Sequence, residues 1–125
     1  MHRHGYKGRK FGRKTDQRNA LTRSLMCSLI KYQSIETTLA RAKEIRRSAE
    51  RLITIAKKNT LANRRLLISR LGDVEVVDLL MNQIAPQIKR DSGYLRITRT
   101  SFRKGDNTEL ATIEFVDEIE LKEEK

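Results

Sequence analysis

The first fourteen residues, MHRHGYKGRKFGRK, gather the side chains best suited to chemistry: six Lys or Arg, two His, two aromatics and three Gly, with no acid. Arg3, Lys7, Arg9, Lys10, Arg13 and Lys14 make this segment a cation, and the chemistry that cations of this density favour is charge-assisted contact with a polyanion. An Arg guanidinium bridges two phosphate oxygens or stacks on a base, Gly5, Gly8 and Gly12 allow close approach to a backbone, and Tyr6 and Phe11 offer apolar faces. The segment has neither helical nor strand period, so alone in water it is expected to be disordered and to order on binding. Fully extended it reaches roughly 45 to 50 Å.

Other chemistries fit less well. His2 and His4 could be half of a metal site, but the sequence holds no further His and its single Cys27 falls inside an expected helix, so no metal or other cofactor is expected. Both His are instead grouped with the arm's cations as RNA contacts. Gly5-Tyr6-Lys7-Gly8 has the spacing of a KH-type clamp, yet that clamp joins two helices of a folded domain. Cys27 has no His or acid placed by sequence to activate it and reads as a small core residue. No catalytic cluster stands out, and a non-enzyme is expected. With one Cys there is no internal disulfide, and no apolar run approaches the roughly 18 residues of a membrane span; an intracellular soluble protein without membrane or small-molecule partners is expected.

The 125 residues suit one domain with a modest core, built from Leu, Ile, Val and Ala because aromatics are 5% of the chain and Trp is absent. A net charge of +11 and a pI near 10.2 exceed what solubility requires. The distribution says more than the total: residues 1–51 carry net +10, residues 52–116 net +4 and residues 117–125 net −3. The front half is therefore expected to face the partner, and the acidic end to face away. The expected organisation is a basic RNA-binding arm at 1–14, a globular domain at 15–117 and an acidic, disordered tail at 118–125.

The arm needs a rigid body to carry it. Asp16 is placed to cap a helix over 17–32, whose Leu21, Leu25, Leu29 and Tyr32 would form its core stripe, while Arg18 and Arg23 continue the arm's charge onto it. SIETT at 34–38 predicts a strand, and its Thr run a cap for a helix over 39–57. There Ala42, Ile45, Ala49, Leu52 and Ala56 repeat at threes and fours, with Arg41, Lys43, Arg46, Arg47 and Lys57 on the other faces. Thr60 caps a third helix bearing Arg64-Arg65, Gly72 closes it, and Asp73 caps a fourth that Pro86 stops. YLRITRTSF alternates Leu95 and Ile97 with Arg96 and Thr98, and residues 110–116 place Ala111, Ile113 and Phe115 on one side, predicting a hairpin. Arg96, Arg99, Arg103 and Lys104 cluster there. RNA contact is expected from Arg41, Arg46, Arg47 and Arg64 on the helices and from these four at the hairpin.

The motif order resembles that of one family, the bacterial large-subunit ribosomal protein seventeen. GRKFGR at 8–13, QRNALTRSL at 17–25, TTLARAKEIRR at 37–47, SGYLRI at 92–97, FRKGDN at 102–107 and IEFVD at 113–117 carry the resemblance over nearly the whole chain. Gln17 stands where the family often has His, and Ala40 and Arg51 where it often has Pro. The resemblance implies an α+β fold in the order helix, strand, three helices, two strands, with a small mixed three-stranded sheet packed on the helices. It also implies a structural role in the cytoplasm, in the large ribosomal subunit near the exit tunnel, with large-subunit rRNA and neighbouring ribosomal proteins as partners. On charge alone, a nucleoid-type DNA-binding protein is the alternative, though such proteins present a recognition helix or β-ribbon that is not evident here. A module binding an acidic protein partner is a third possibility.

Overall fold

Ala42, Ile45, Ala49, Leu52 and Ala56 are all buried, so the helix that carries them, α2 (Leu39–Ala56), lies with this stripe and Ile53 against the centre of the protein. The computed structural model describes residues 8, 9 and 11–121. Around α2 are α1 (Thr15–Tyr32), β1 (Ser34–Thr38), α3 (Leu61–Leu71), α4 (Val74–Leu79), β2 (Leu95–Phe102) and β3 (Glu109–Phe115), an α+β fold in the expected order. Met26 and Leu29 of α1, Leu67 and Leu71 of α3, Val76 and Val77 of α4 and Ile113 of β3 share one core with α2.

The local stop and start signals act as expected. Thr38 Oγ1 accepts from the Arg41 N–H at the head of α2, Thr60 Oγ1 from the Asn63 N–H at the head of α3, and Asp73 Oδ1 from Glu75 and Val76 at the head of α4. Each satisfies donors the first turn leaves unpaired. Gly72 closes α3 with a left-handed φ of 72°.

Helix α1 departs from expectation at its start and in the face it buries. It starts at Thr15 with Lys14 in the cap position, and Asp16 sits in the first turn with its carboxylate on the Gln17 N–H at 2.9 Å. Its buried residues are Met26, Leu29 and Ile30, whereas Leu21 and Leu25 are half-buried and Tyr32 is 70% exposed. Each step of four residues overshoots a full helical turn by about 40°, so Leu21, Leu25 and Leu29 precess around the helix and only the last meets the core. Gln33 ends α1 at a φ of 63°, and its amide donates to the Ile30 and Lys31 carbonyls that the helix end leaves open.

The three strands pair in the order β1-β3-β2, and both pairings are antiparallel, with Ile35 and Ile97 each opposite Ile113. The sheet is thus antiparallel throughout, not mixed. β1 and β2 run the same way, but the returning arm of the hairpin inserts between them and runs against both. A bulge between Arg99 and Ser101 shifts the register, and beyond it residues 101–107 are all exposed, so the hairpin tip projects from the body.

One further segment differs from the sequence expectation. The fourth helix continues past α4 as a π-helical turn, Leu80–Ile84, and a 3₁₀ turn, Ala85–Gln87, that contains Pro86. Past β3 the chain stays on the body as far as Glu120: the Gln87 amide donates to the Glu120 carbonyl at 2.7 Å and accepts its N–H at 2.9 Å, and Ile119 packs against the core. One side chain that satisfies both backbone groups of a residue replaces the strand partner that the tail lacks. The rest of the expected tail, residues 122–125, lies outside the described residues.

Candidate nucleic-acid interface

The root of the arm is fixed to α2 by one carboxylate. Arg9 Nη1 lies 3.3 Å from Glu44 Oε2. Beside it, the backbone of Gly8 runs so close to Glu44 that a Cβ there would lie 2.7 Å from Oε1, at a φ of +103° that side chains rarely adopt. Phe11 and Gly12 then take left-handed φ values of 54° and 63°, and Arg13 closes the turn by donating to the Phe11 carbonyl at 2.9 Å. His2, Arg3, His4, Lys7 and Lys10 lie outside the described residues.

From this root the cations pass onto α1 and α2. Arg18 and Arg23 stand on α1, Arg18 half-buried and in reach of Thr15 Oγ1 at 3.5 Å, Arg23 exposed against the turn at Gly72. On α2, Arg41, Arg47 and Arg51 recur at helical spacing around Glu44, so they share one face with the arm's anchor. Arg46 falls on another stripe with Glu50, 3.8 Å away, whose carboxylate also accepts the Leu95 N–H at 3.4 Å. Among the described residues Arg13, Lys14, Arg23, Arg41, Arg47 and Arg51 have no carboxylate within ion-pair distance.

The hairpin is built differently. Arg96 puts two N–H groups on Glu114 Oε1, at 2.8 and 3.1 Å; Arg99 pairs with Glu109 at 3.3 Å; Arg103 holds Asp106 with two bonds of 2.5 and 3.2 Å. The Arg103 guanidinium, with the Thr108 hydrogen bonds, holds the Asp106 carboxyl far below the usual carboxylate range. Of the four hairpin cations only Lys104 lacks such a partner among the described residues. Arg64, expected on a free basic face, is instead paired with Asp78 of α4 and so ties α3 to its neighbour.

The sequence expectation therefore divides. Arg9, Arg18 and Arg23 meet at the cleft between the arm's root, α1 and α2, and Arg13, Lys14, Arg41 and Arg47 lie on these same segments without a carboxylate partner among the described residues, while Arg9, Arg46, Arg64, Arg96, Arg99 and Arg103 each carry a nearby carboxylate. Arg70 at the end of α3 was not among the expected contacts, yet the fold brings it to the same cleft as Arg18 and Arg23. Its only sequence signal is its place two residues before the closing Gly72.

The remaining chemistry is spare. Burial pushes the Cys27 thiol up, with the Asp73 charge adding to it, and the sulfur sits 3.7 Å from the Leu71 carbonyl, a packed position and not that of an activated nucleophile. Among the described residues no group of three or more His, Cys, Asp or Glu could hold a metal ion, and no helix is long and apolar enough to cross a membrane.

A family model described as Ribosomal protein L17 matches residues 21–116, from within α1 to one residue past β3. The chain belongs to the ribosomal protein L17 family. It is accordingly a structural constituent of the large ribosomal subunit and not an enzyme. The large ribosomal subunit protein bL17 of Fusobacterium nucleatum is 52% identical over 114 residues, covering 90% of this chain and 98% of that protein. The large ribosomal subunit protein bL17 of Thermodesulfovibrio yellowstonii is 49% identical over 116 residues, covering 92% of this chain and 87% of that protein. The arm and the first turns of α1 precede the family match, so the most basic part of this L17-family chain lies at its border.

Proposed function

We propose that this ribosomal protein binds folded large-subunit rRNA, chiefly by phosphate contacts from the arm and from the face shared by α1, α2 and the end of α3. The hairpin contributes a projecting but largely self-neutralised second contact, and neighbouring large-subunit proteins meet the remaining surface. The observation that carries this reading is the uneven pairing of cations. Arg13, Lys14, Arg23, Arg41, Arg47 and Arg51, on the arm's root, α1 and α2, have no carboxylate partner among the described residues, so their self-repulsion is relieved only by counterions or a polyanion. Replacing those counterions with phosphates releases them to solution, which makes affinity fall steeply with salt. The contacts fix position and orientation without reading sequence.

Sedimentation of the native protein tests this reading. It is expected to travel with large ribosomal subunits and to leave them only at high salt; finding it with DNA or free of ribosomal particles would overturn it. Membership in a ribosomal family leaves the nucleoid-type alternative with no observation in its favour.

A further inference from the structure

Where α1, α2 and α3 meet, the surface folds into a cleft of about 410 Å³. Arg18 and Arg23 enter it from α1 and Arg70 from α3, while Thr22, Ser48 and Ser69 supply hydroxyls. Glu44 is the one carboxylate among the described lining residues, and it is engaged by Arg9 at 3.3 Å. The cleft is in the size range of small-ligand sites, but such sites are mostly apolar, and here Met26 is the single apolar side chain.

Two features mark this cleft as a seat and not a solvated corner. Arg23 lies against the turn that ends α3, where a Cβ on Gly72 would come within 3.3 Å of its Nη1, yet it makes no hydrogen bond or ion pair with any described residue. A guanidinium serving only to cap α3 would donate to the helix's open carbonyls. The hydroxyls of Ser48 and Ser69, and the guanidinium of Arg70, likewise have no partner among the described residues. Arg23, Ser48, Ser69 and Arg70 thus bring donors from three helices to one space without a partner among the described residues. The described lining holds no aromatic side chain, and its Arg and Ser donors match phosphate oxygens, so the fitting ligand is a backbone phosphate.

We propose that this cleft seats one phosphodiester of the RNA backbone, held jointly by Arg23 and Arg70 with Arg18 beside them. Glu44 acts as a positioning residue: by engaging Arg9 and abutting Gly8 it fixes the arm's root at the rim, so that a strand followed by the arm passes over the seat. The inference rests on the RNA-binding reading above and deepens it.

The test measures affinity of the full-length protein for deproteinised large-subunit rRNA across a potassium chloride series, for wild type, R23Q, R70Q and R23Q/R70Q. Because both arginines serve one phosphate, the double variant should weaken binding about tenfold and lower the salt slope by about one phosphate's worth, roughly 0.7 to 0.9. A loss near twice that would make them independent surface contacts, and no loss would leave the cleft outside the interface; either overturns the seat. The variant R23K/R70K, with charge kept but the planar fork removed, should restore the slope while recovering only part of the affinity. If it behaves like R23Q/R70Q, the arginines act through the fold and the seat fails. At equal ionic strength inorganic phosphate should compete with rRNA somewhat better than chloride for the wild type and no better than chloride for R23Q/R70Q. Inorganic phosphate that binds the wild type through Arg23 and Arg70 without lowering its affinity for rRNA would assign the cleft to free phosphate and overturn the RNA seat. Failure of the wild type itself to bind rRNA would refute the broader reading, whereas unaltered binding by the variants would refute the seat alone.

Discussion

The two basic regions of this protein are made of the same residue types and hold them in opposite ways. In residues 95–115 four cations face three acids, and the antiparallel register sets Arg96 directly opposite Glu114, while the bulge brings Arg99 to Glu109. At the junction of the arm, α1 and α2, helical spacing sets Arg41, Arg47 and Arg51 beside Glu44 and Glu50, but Glu44 is engaged by Arg9 and Glu50 by Arg46. A count of Lys and Arg treats the regions as equals. Counterion release does not, because an arginine already neutralised by a carboxylate holds few condensed anions to give up and must break its pair to reach a phosphate.

The largest expected effect is loss of the arm. Removing residues 1–14 deletes six cations and none of the buried core, which begins at Met26. Circular dichroism should show the fold retained, while rRNA binding loses roughly four to five units of salt slope. An unchanged slope would take the arm out of the interface and collapse the contrast between the regions.

A smaller effect should come from freeing the hairpin arginines. E109Q/E114Q removes the partners of Arg99 and Arg96 and is expected to raise rRNA affinity severalfold and the slope by about one. Exposed pairs contribute on the order of 0.2 to 1 kcal/mol each, so the thermal midpoint should move little. A fall in affinity would mean that these carboxylates orient the arginines for RNA instead of silencing them.

The smallest effect concerns pH. The Asp106 carboxyl is depressed by Arg103 and Thr108, so its stabilising contribution is present above the ordinary carboxylate value and is lost only as pH falls through its lower folded value. On mild acidification the Arg103–Asp106 pair should therefore persist. Carboxyl chemical shifts followed by NMR should place the Asp106 midpoint well below the usual value near 3.9; titration at that usual value would show the turn's arginine to be free.

Much of this fold was legible because its signals are local. The stripe of Ala42, Ile45, Ala49, Leu52 and Ala56, the caps at Thr38, Thr60 and Asp73, and the left-handed stop at Gly72 each need only a few neighbouring residues to be read. What escaped depends on partners distant in sequence. The buried side of α1 is set by where the rest of the core lies, so Met26 and Ile30 replaced the more regular Leu21 and Leu25. The antiparallel order depends on β3 entering between β1 and β2, and Glu120 is held by Gln87 from more than thirty residues away. The site follows the same rule. Charge density at the arm and on α2 showed in the sequence, but the carboxylates that silence the hairpin and Arg64, and the meeting of Arg70 with Arg18 and Arg23, appear only once the helices and strands are assembled.

The most direct test removes equal charge from the two regions. R13Q/R23Q/R47Q takes three unpaired arginines from the front face, and R96Q/R99Q/R103Q takes three paired ones from the hairpin. With rRNA affinity measured against salt for both full-length variants, the front-face variant should lose roughly two to three units of slope and the hairpin variant less than about one. Equal losses, or a larger loss at the hairpin, would contradict the claim that pairing, and not the number of cations, decides which face of this ribosomal protein holds the RNA.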